Sequence, residues 1–112
     1  MTDADLETIR RQLNRRASEL RELEEASKAS SRPVILDQAS VGRLSRMDAM
    51  QAQQMALETA RRRREELVRV EGALRRLEAG EYGNCFVCGE EIDARRLAIA
   101  PTSTRCVNCS DT

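Results

Sequence analysis

Leu6, Ile9, Leu13, Ala17, Leu20 and Leu23 recur every three or four residues between Asp3 and about Ser30, the spacing that keeps side chains on one face of an α-helix. The positions between them are mostly charged, so the segment predicts an amphipathic helix with a narrow apolar stripe. A second stretch, from about Leu44 to Ala79, carries Leu67, Val70, Leu74 and Leu77 at the same spacing, with Ala60, Ala56 and Ala49 extending the stripe backwards. That helix spans about 36 residues, roughly 54 Å at 1.5 Å per residue. Between the two, Ser30-Ser31-Arg32-Pro33 stops the first helix, because proline lacks an amide donor and disfavours helical geometry in the residue before it. Residues 31–43 are expected to form a loop.

The bulky end of the first stripe is its start and the bulky end of the second is its finish, so antiparallel pairing sets large residues against large ones. Matching Leu6 with Leu77 places the turn near position 41 or 42. The fold class that follows is mainly α: a long antiparallel two-helix coiled-coil hairpin over residues 1–79, its tip at about 31–48, followed by a small module over 80–112. So few bulky residues make a lone hairpin marginal, and a folded module at its base is needed to hold the two ends together.

Composition narrows what such a molecule can do. The chain has 112 residues, 34% of them charged, and its aromatics are Tyr82 and Phe86, which read as the small core of the second module. A deep catalytic pocket does not suit that inventory. Nineteen basic and nineteen acidic residues cancel to a formal charge of zero, which argues against a generic nucleic-acid binder and against sequence-specific DNA contact. The run Arg61-Arg62-Arg63-Arg64 points around nearly a full helical turn and cannot face one ligand; pairs such as Arg61 with Glu65 and Arg62 with Glu66 account for it as a solvated surface. Met47, Met50 and Met55 read as gap fillers. No apolar run is long enough to span a membrane, and the first residues are acidic where a secretory signal is basic, so a cytoplasmic location is expected.

The four cysteines carry the clearest chemistry. Cys85 and Cys88 are separated from Cys106 and Cys109 by seventeen residues, giving C-x2-C-x17-C-x2-C, and the chain has no histidine. Zinc asks for four thiolates at tetrahedral corners about 2.3 Å from the metal, and a two-residue gap lets one tight turn deliver two sulfurs from the same side. The spacing predicts one structural Zn2+ per chain held by Cys85, Cys88, Cys106 and Cys109, with no open position for a catalytic water. Gly89, next to Cys88, is placed to adopt the positive φ that such a turn requires. Thiol redox sensing and two disulfides are the alternative readings of the same four residues.

The stretch Gly80-Glu81-Tyr82-Gly83-Asn84-Cys85-Phe86-Val87-Cys88-Gly89-Glu90-Glu91-Ile92, followed by Arg95-Arg96-Leu97, Pro101-Thr102 and Cys106-Val107-Asn108-Cys109, resembles the zinc finger of the DksA/TraR family. The resemblance implies a monomeric, non-enzymatic transcription regulator that binds RNA polymerase and inserts its coiled-coil tip into the secondary channel to modulate initiation. The family's tip pattern is D-x-x-D-x-A, usually followed by Ser or Thr. Asp37, Ala39 and Ser40 are similar to its second half, with Val34 where the first acid stands, while Asp48 and Ala49 are a competing placement and Arg43 lies between the two. An alarmone contact in the family uses an arginine before the proline that follows R-R-L; here Ala100 precedes Pro101 and Arg69 is the basic residue left on the helix, where one cation cannot replace a set of converging phosphate donors, which argues against ppGpp as a partner. A zinc-stabilised adaptor for some other protein and a thiol-responsive switch are the competing functions.

Overall fold

The computed structural model describes residues 1–30 and 43–110. Helix α1 runs over Asp3–Ser30 and α2 over Arg43–Ala79, followed by two short helices, α3 at Ala94–Ile99 and α4 at Val107–Ser110. Among the described residues the only pairing of β type is an isolated antiparallel bridge between Asn84 and Glu91. The first two helices form the antiparallel hairpin that the stripes predict, α2 beginning one residue before the expected Leu44. The expected turn, and with it Asp37, Ala39 and Ser40, lies outside the described residues. No helix among those described is long and apolar enough to cross a membrane.

Local chemistry sets the helix ends. At the start of α1 the Thr2 amide donates to Asp5 Oδ2 (3.1 Å) and the Asp5 amide donates to Thr2 Oγ (3.2 Å). Each side chain satisfies an amide that the first turn would leave orphaned. The Thr2 amide holds the Asp5 carboxyl below its ordinary range. Helix α2 stops at Gly80, whose φ of 73° is open to glycine at little steric cost. There the Gly80 amide donates to the Leu77 carbonyl (3.3 Å) and the Glu81 amide to that of Arg76 (2.9 Å), the double closure of a Schellman motif.

The chain divides into two compact units: Met1–Ser18 with Val68–Thr112, and Glu19–Leu67. This cut differs from a boundary at 79/80, because the outer ends of both long helices share a core with the cysteine module. In that first unit Ile9, Leu13 and Ala17 of α1 are buried, as are Val70, Ala73 and Leu77 of α2 and Cys85, Ile92 and Leu97 beyond them. The second unit buries Leu20 and Ala60 and carries an ion pair from Arg64 Nε to Glu24 Oε1 at 3.5 Å.

Several positions of the stripes face otherwise than expected. Leu67 and Leu74 are half-buried and Ala56 is exposed, whereas Ala73 is fully buried. With Val70 and Leu77 inward, position 73 completes the inner face at i+3 and i+4, and Leu74 falls to its edge. The methionines do not fill gaps: Met47, Met50 and Met55 are 51%, 59% and 71% exposed. The arginine run is a solvated surface, with Arg61 paired to Glu58 and Glu65. Arg62 reaches back to Glu58 at 3.2 Å, where the sequence suggested Glu66.

Candidate metal centre

The first cysteine pair sits on a short turn. Gly83 and Gly89 adopt φ of 96° and 76°; between them the Cys85 amide donates to the Glu90 carbonyl (2.8 Å), the Gly89 amide to that of Cys85 (2.9 Å), and the Ile92 amide to that of Gly83 (2.8 Å). Gly89 thus has the backbone that the sequence assigned to it. Gly83 is needed for its positive φ and not for lack of room, since a Cβ there would stand in ordinary contact, 3.7 Å from Leu97 Cδ1 and 3.8 Å from the Met1 sulfur.

The second pair frames α4. The Cys106 carbonyl accepts from the amides of Cys109 (3.1 Å) and Ser110 (2.9 Å), and the Phe86 amide donates to the Thr104 carbonyl (2.8 Å), tying the two turns together. Helix α3 braces the segment between them. Asp93 caps it by accepting from the Arg95 amide at 2.9 Å, and Leu97 plugs the core with no exposed surface.

These turns bring the four Sγ atoms of Cys85, Cys88, Cys106 and Cys109 within 4.8 Å of one another, with Cys88 and Cys106 at 3.7 Å. A tetrahedron of sulfurs about 2.3 Å from zinc has edges of about 3.8 Å, so the donor set fits the metal. Cys85 is buried, Cys106 and Cys109 are half-buried and Cys88 is exposed. As free thiols the four are held unequally. The amides of Cys88 and Cys106 draw Cys85 down to about 6, while the neighbouring sulfurs, Cys106 foremost, push Cys109 up to about 12. Four thiolates cannot share this volume without a cation between them.

The aromatics are not a paired core. Tyr82 is half-buried, its hydroxyl donating to the Pro101 carbonyl at 2.7 Å, and burial pushes its phenol up to about 12. Phe86 is 65% exposed and lies beneath the Arg76 guanidinium, 5.3 Å from its ring centroid. The core is aliphatic instead, built on Ile92 and Leu97. Tyr82→Phe should lower stability by about 1 kcal/mol, the net worth of one part-buried hydrogen bond, without releasing metal; chemical denaturation with a parallel zinc assay measures both.

Residues 80–111 match the prokaryotic dksA/traR C4-type zinc finger. A 63-residue segment is 38% identical to the RNA polymerase-binding transcription factor DksA of Haemophilus influenzae, covering 54% of this chain and 43% of that protein. For the protein of the same name from Escherichia coli the identity is 36% over 63 residues, covering 54% and 42%. Both matches span less than half the length of the relative. The solved structure of transcription factor DksA2 from Pseudomonas aeruginosa superposes with a TM-score of 0.81 at 30% identity, over 99% of this chain and 84% of that one. The chain belongs to the DksA/TraR family. As a DksA/TraR protein it carries a C4 zinc finger, and the metal it implies is a structural one.

Of the tip residues the sequence singled out, α2 carries three: Arg43 in its first turn, Asp48, which is exposed, and Ala49, which is half-buried. Asp48 and Ala49 are adjacent in sequence and so about 100° apart around the helix. Arg69 is exposed on α2, and Ala100 is half-buried, its amide closing α3 on the Arg96 carbonyl at 2.8 Å.

Proposed function

We propose that this chain is a monomeric, non-enzymatic regulator of transcription that binds RNA polymerase, with the zinc finger as base and the hairpin as probe. The observation that carries the proposal is the superposition on a DksA-type transcription factor over nearly the whole chain, rather than over the finger alone. In this reading Cys85, Cys88, Cys106 and Cys109 hold one zinc ion, which closes the finger and does no chemistry of its own. The probe enters the secondary channel and shifts the balance among promoter complexes by placing charge near the catalytic metal, an effect of a few kcal/mol at most. It need touch neither DNA nor membrane, and ppGpp is at most an auxiliary ligand, since Ala100 offers no charge before Pro101. The test is transcription in vitro with purified polymerase at a ribosomal promoter, with and without the chain. No change in transcript together with no binding to polymerase excludes the proposal.

The tip acids are its sharpest point. Asp37→Asn and Asp48→Asn each remove one negative charge at nearly constant volume, so any effect is electrostatic. Asp37, followed by Ala39 and Ser40 in the family-like D-x-A-S order, is expected to lose regulation while still binding polymerase and melting as the unmodified chain does; Asp48→Asn is expected to be the milder of the two. Full regulation by both variants removes the acidic tip from the mechanism.

A further inference from the structure

Beside the finger, on the face of α2 that carries Arg75 and Arg76, lies an open cleft of about 290 Å3 lined by Gly72, Arg75, Arg76, Ala79, Glu81 and Phe86. Both arginines fold back over Gly72. A Cβ at that glycine would stand in ordinary contact with both, 3.4 Å from Arg76 Nη1 and 3.7 Å from Arg75 Nη2, so the two guanidinium groups converge over the same bare turn of the helix. Neither takes part in an ion pair among the described residues, nor does Glu81. Arg76 Nη2 is shielded from solvent and has no hydrogen-bond partner, while its guanidinium lies over the largely exposed Phe86 ring. Burial first, and the charge of Arg75 as well, pull Arg76 below the ordinary arginine range.

Two converging cations with a buried donor left over are an unfilled demand for an oxyanion. The surroundings choose among oxyanions. The Glu81 carboxylate on the cleft wall repels a multiply charged phosphate more strongly than a singly charged carboxylate. The exposed apolar surface of Phe86 and Val87 offers contact to the residues flanking a protein side chain, which a free ion lacks. We infer that the Arg75–Arg76–Phe86 cleft is a receptor for an aspartate or glutamate side chain of an acidic segment on the polymerase, distinct from the tip and from the zinc site. The inference rests on the polymerase reading above.

The experiment measures binding of the zinc-loaded full chain to purified polymerase at several salt concentrations. Arg75→Gln and Arg76→Gln should each weaken binding about tenfold, the scale of one charge-assisted hydrogen bond lost, and flatten its salt dependence. Arg15→Gln, which removes an exposed charge on α1, should leave binding unchanged. Gly72→Glu guards against misfolding as the cause: it places a carboxylate of the chain's own beneath both guanidinium groups and replaces a helical glycine by a better helix former. It should therefore weaken binding at least as much while the melting temperature holds or rises. Retained affinity in all three variants overturns the inference and leaves the polymerase reading standing, whereas failure of the unmodified chain to bind overturns both. Saturable binding of inorganic phosphate at the Arg75 and Arg76 side chains, followed by NMR, would overturn the choice of a protein carboxylate.

Discussion

Cys106→Ser is expected to release zinc and unfold the finger, a larger loss than truncating any one buried leucine would cause. Structural zinc in small modules contributes about 10–16 kcal/mol of apparent binding free energy at neutral pH, most of it available only to the folded chain. Three thiolates and a hydroxyl retain a fraction of that. The finger has little to replace it with, since its interior is Cys85, Ile92 and Leu97 with a half-buried Tyr82. Loss should spread to Met1–Ser18 and Val68–Ala79, which share that compact unit, while Glu19–Leu67 keeps more of its helix. Hydrogen exchange read by segment, together with elemental analysis, distinguishes this outcome; a metal-free variant that protects residues 80–110 as well as the unmodified protein does would show that zinc is not what closes the finger. Acid should act in the same direction, because protons compete with the metal for the thiolates.

How far the sequence reveals this molecule depends on whether a rule of spacing governs the residue in question. The cysteines obey one: two residues between ligands suffice for a tight turn, and Gly89 beside Cys88 has the positive φ that the turn demands. The limits of α1 were equally legible, because the apolar stripe begins just after Asp3 and Pro33 forbids continuation. Faces were less so. Leu74 drew the apolar stripe toward itself by its bulk, yet Ala73 lies at the inner face, and hydrophobicity alone ranks leucine above alanine at adjacent positions. Phe86 misled for a related reason: aromatics are usually buried, but this one occupies a position between two of the clustered cysteines, where the backbone serves the turn and the ring is left to pack against Arg76. Convergence of Arg75 and Arg76 had no sequence signal, since neighbours on a helix point about 100° apart and only their fold back over Gly72 unites them.

Leu20→Ala and Leu23→Ala should part company although the sequence places both in one stripe. Leu20 is 1% exposed and Leu23 is 36% exposed, and both belong to the same compact unit. Truncating a buried leucine forfeits its transfer free energy and leaves a cavity that neighbours fill only in part, typically about 2–5 kcal/mol. Truncating one at the edge opens no enclosed cavity and should cost about 1 kcal/mol or less. The unit has little slack: Ala60 is buried with Leu20, and an alanine cannot extend to refill the space. Exposed Leu57, Met55 and Met50 lie on other parts of α2 and would have to rotate the helix to help, breaking the Arg64–Glu24 pair. Denaturant titration of both variants, with helicity as the readout, compares the two costs directly. Equal losses would mean that Leu20 does not mark the inner face and that the pairing of α1 with α2 in this unit needs another register.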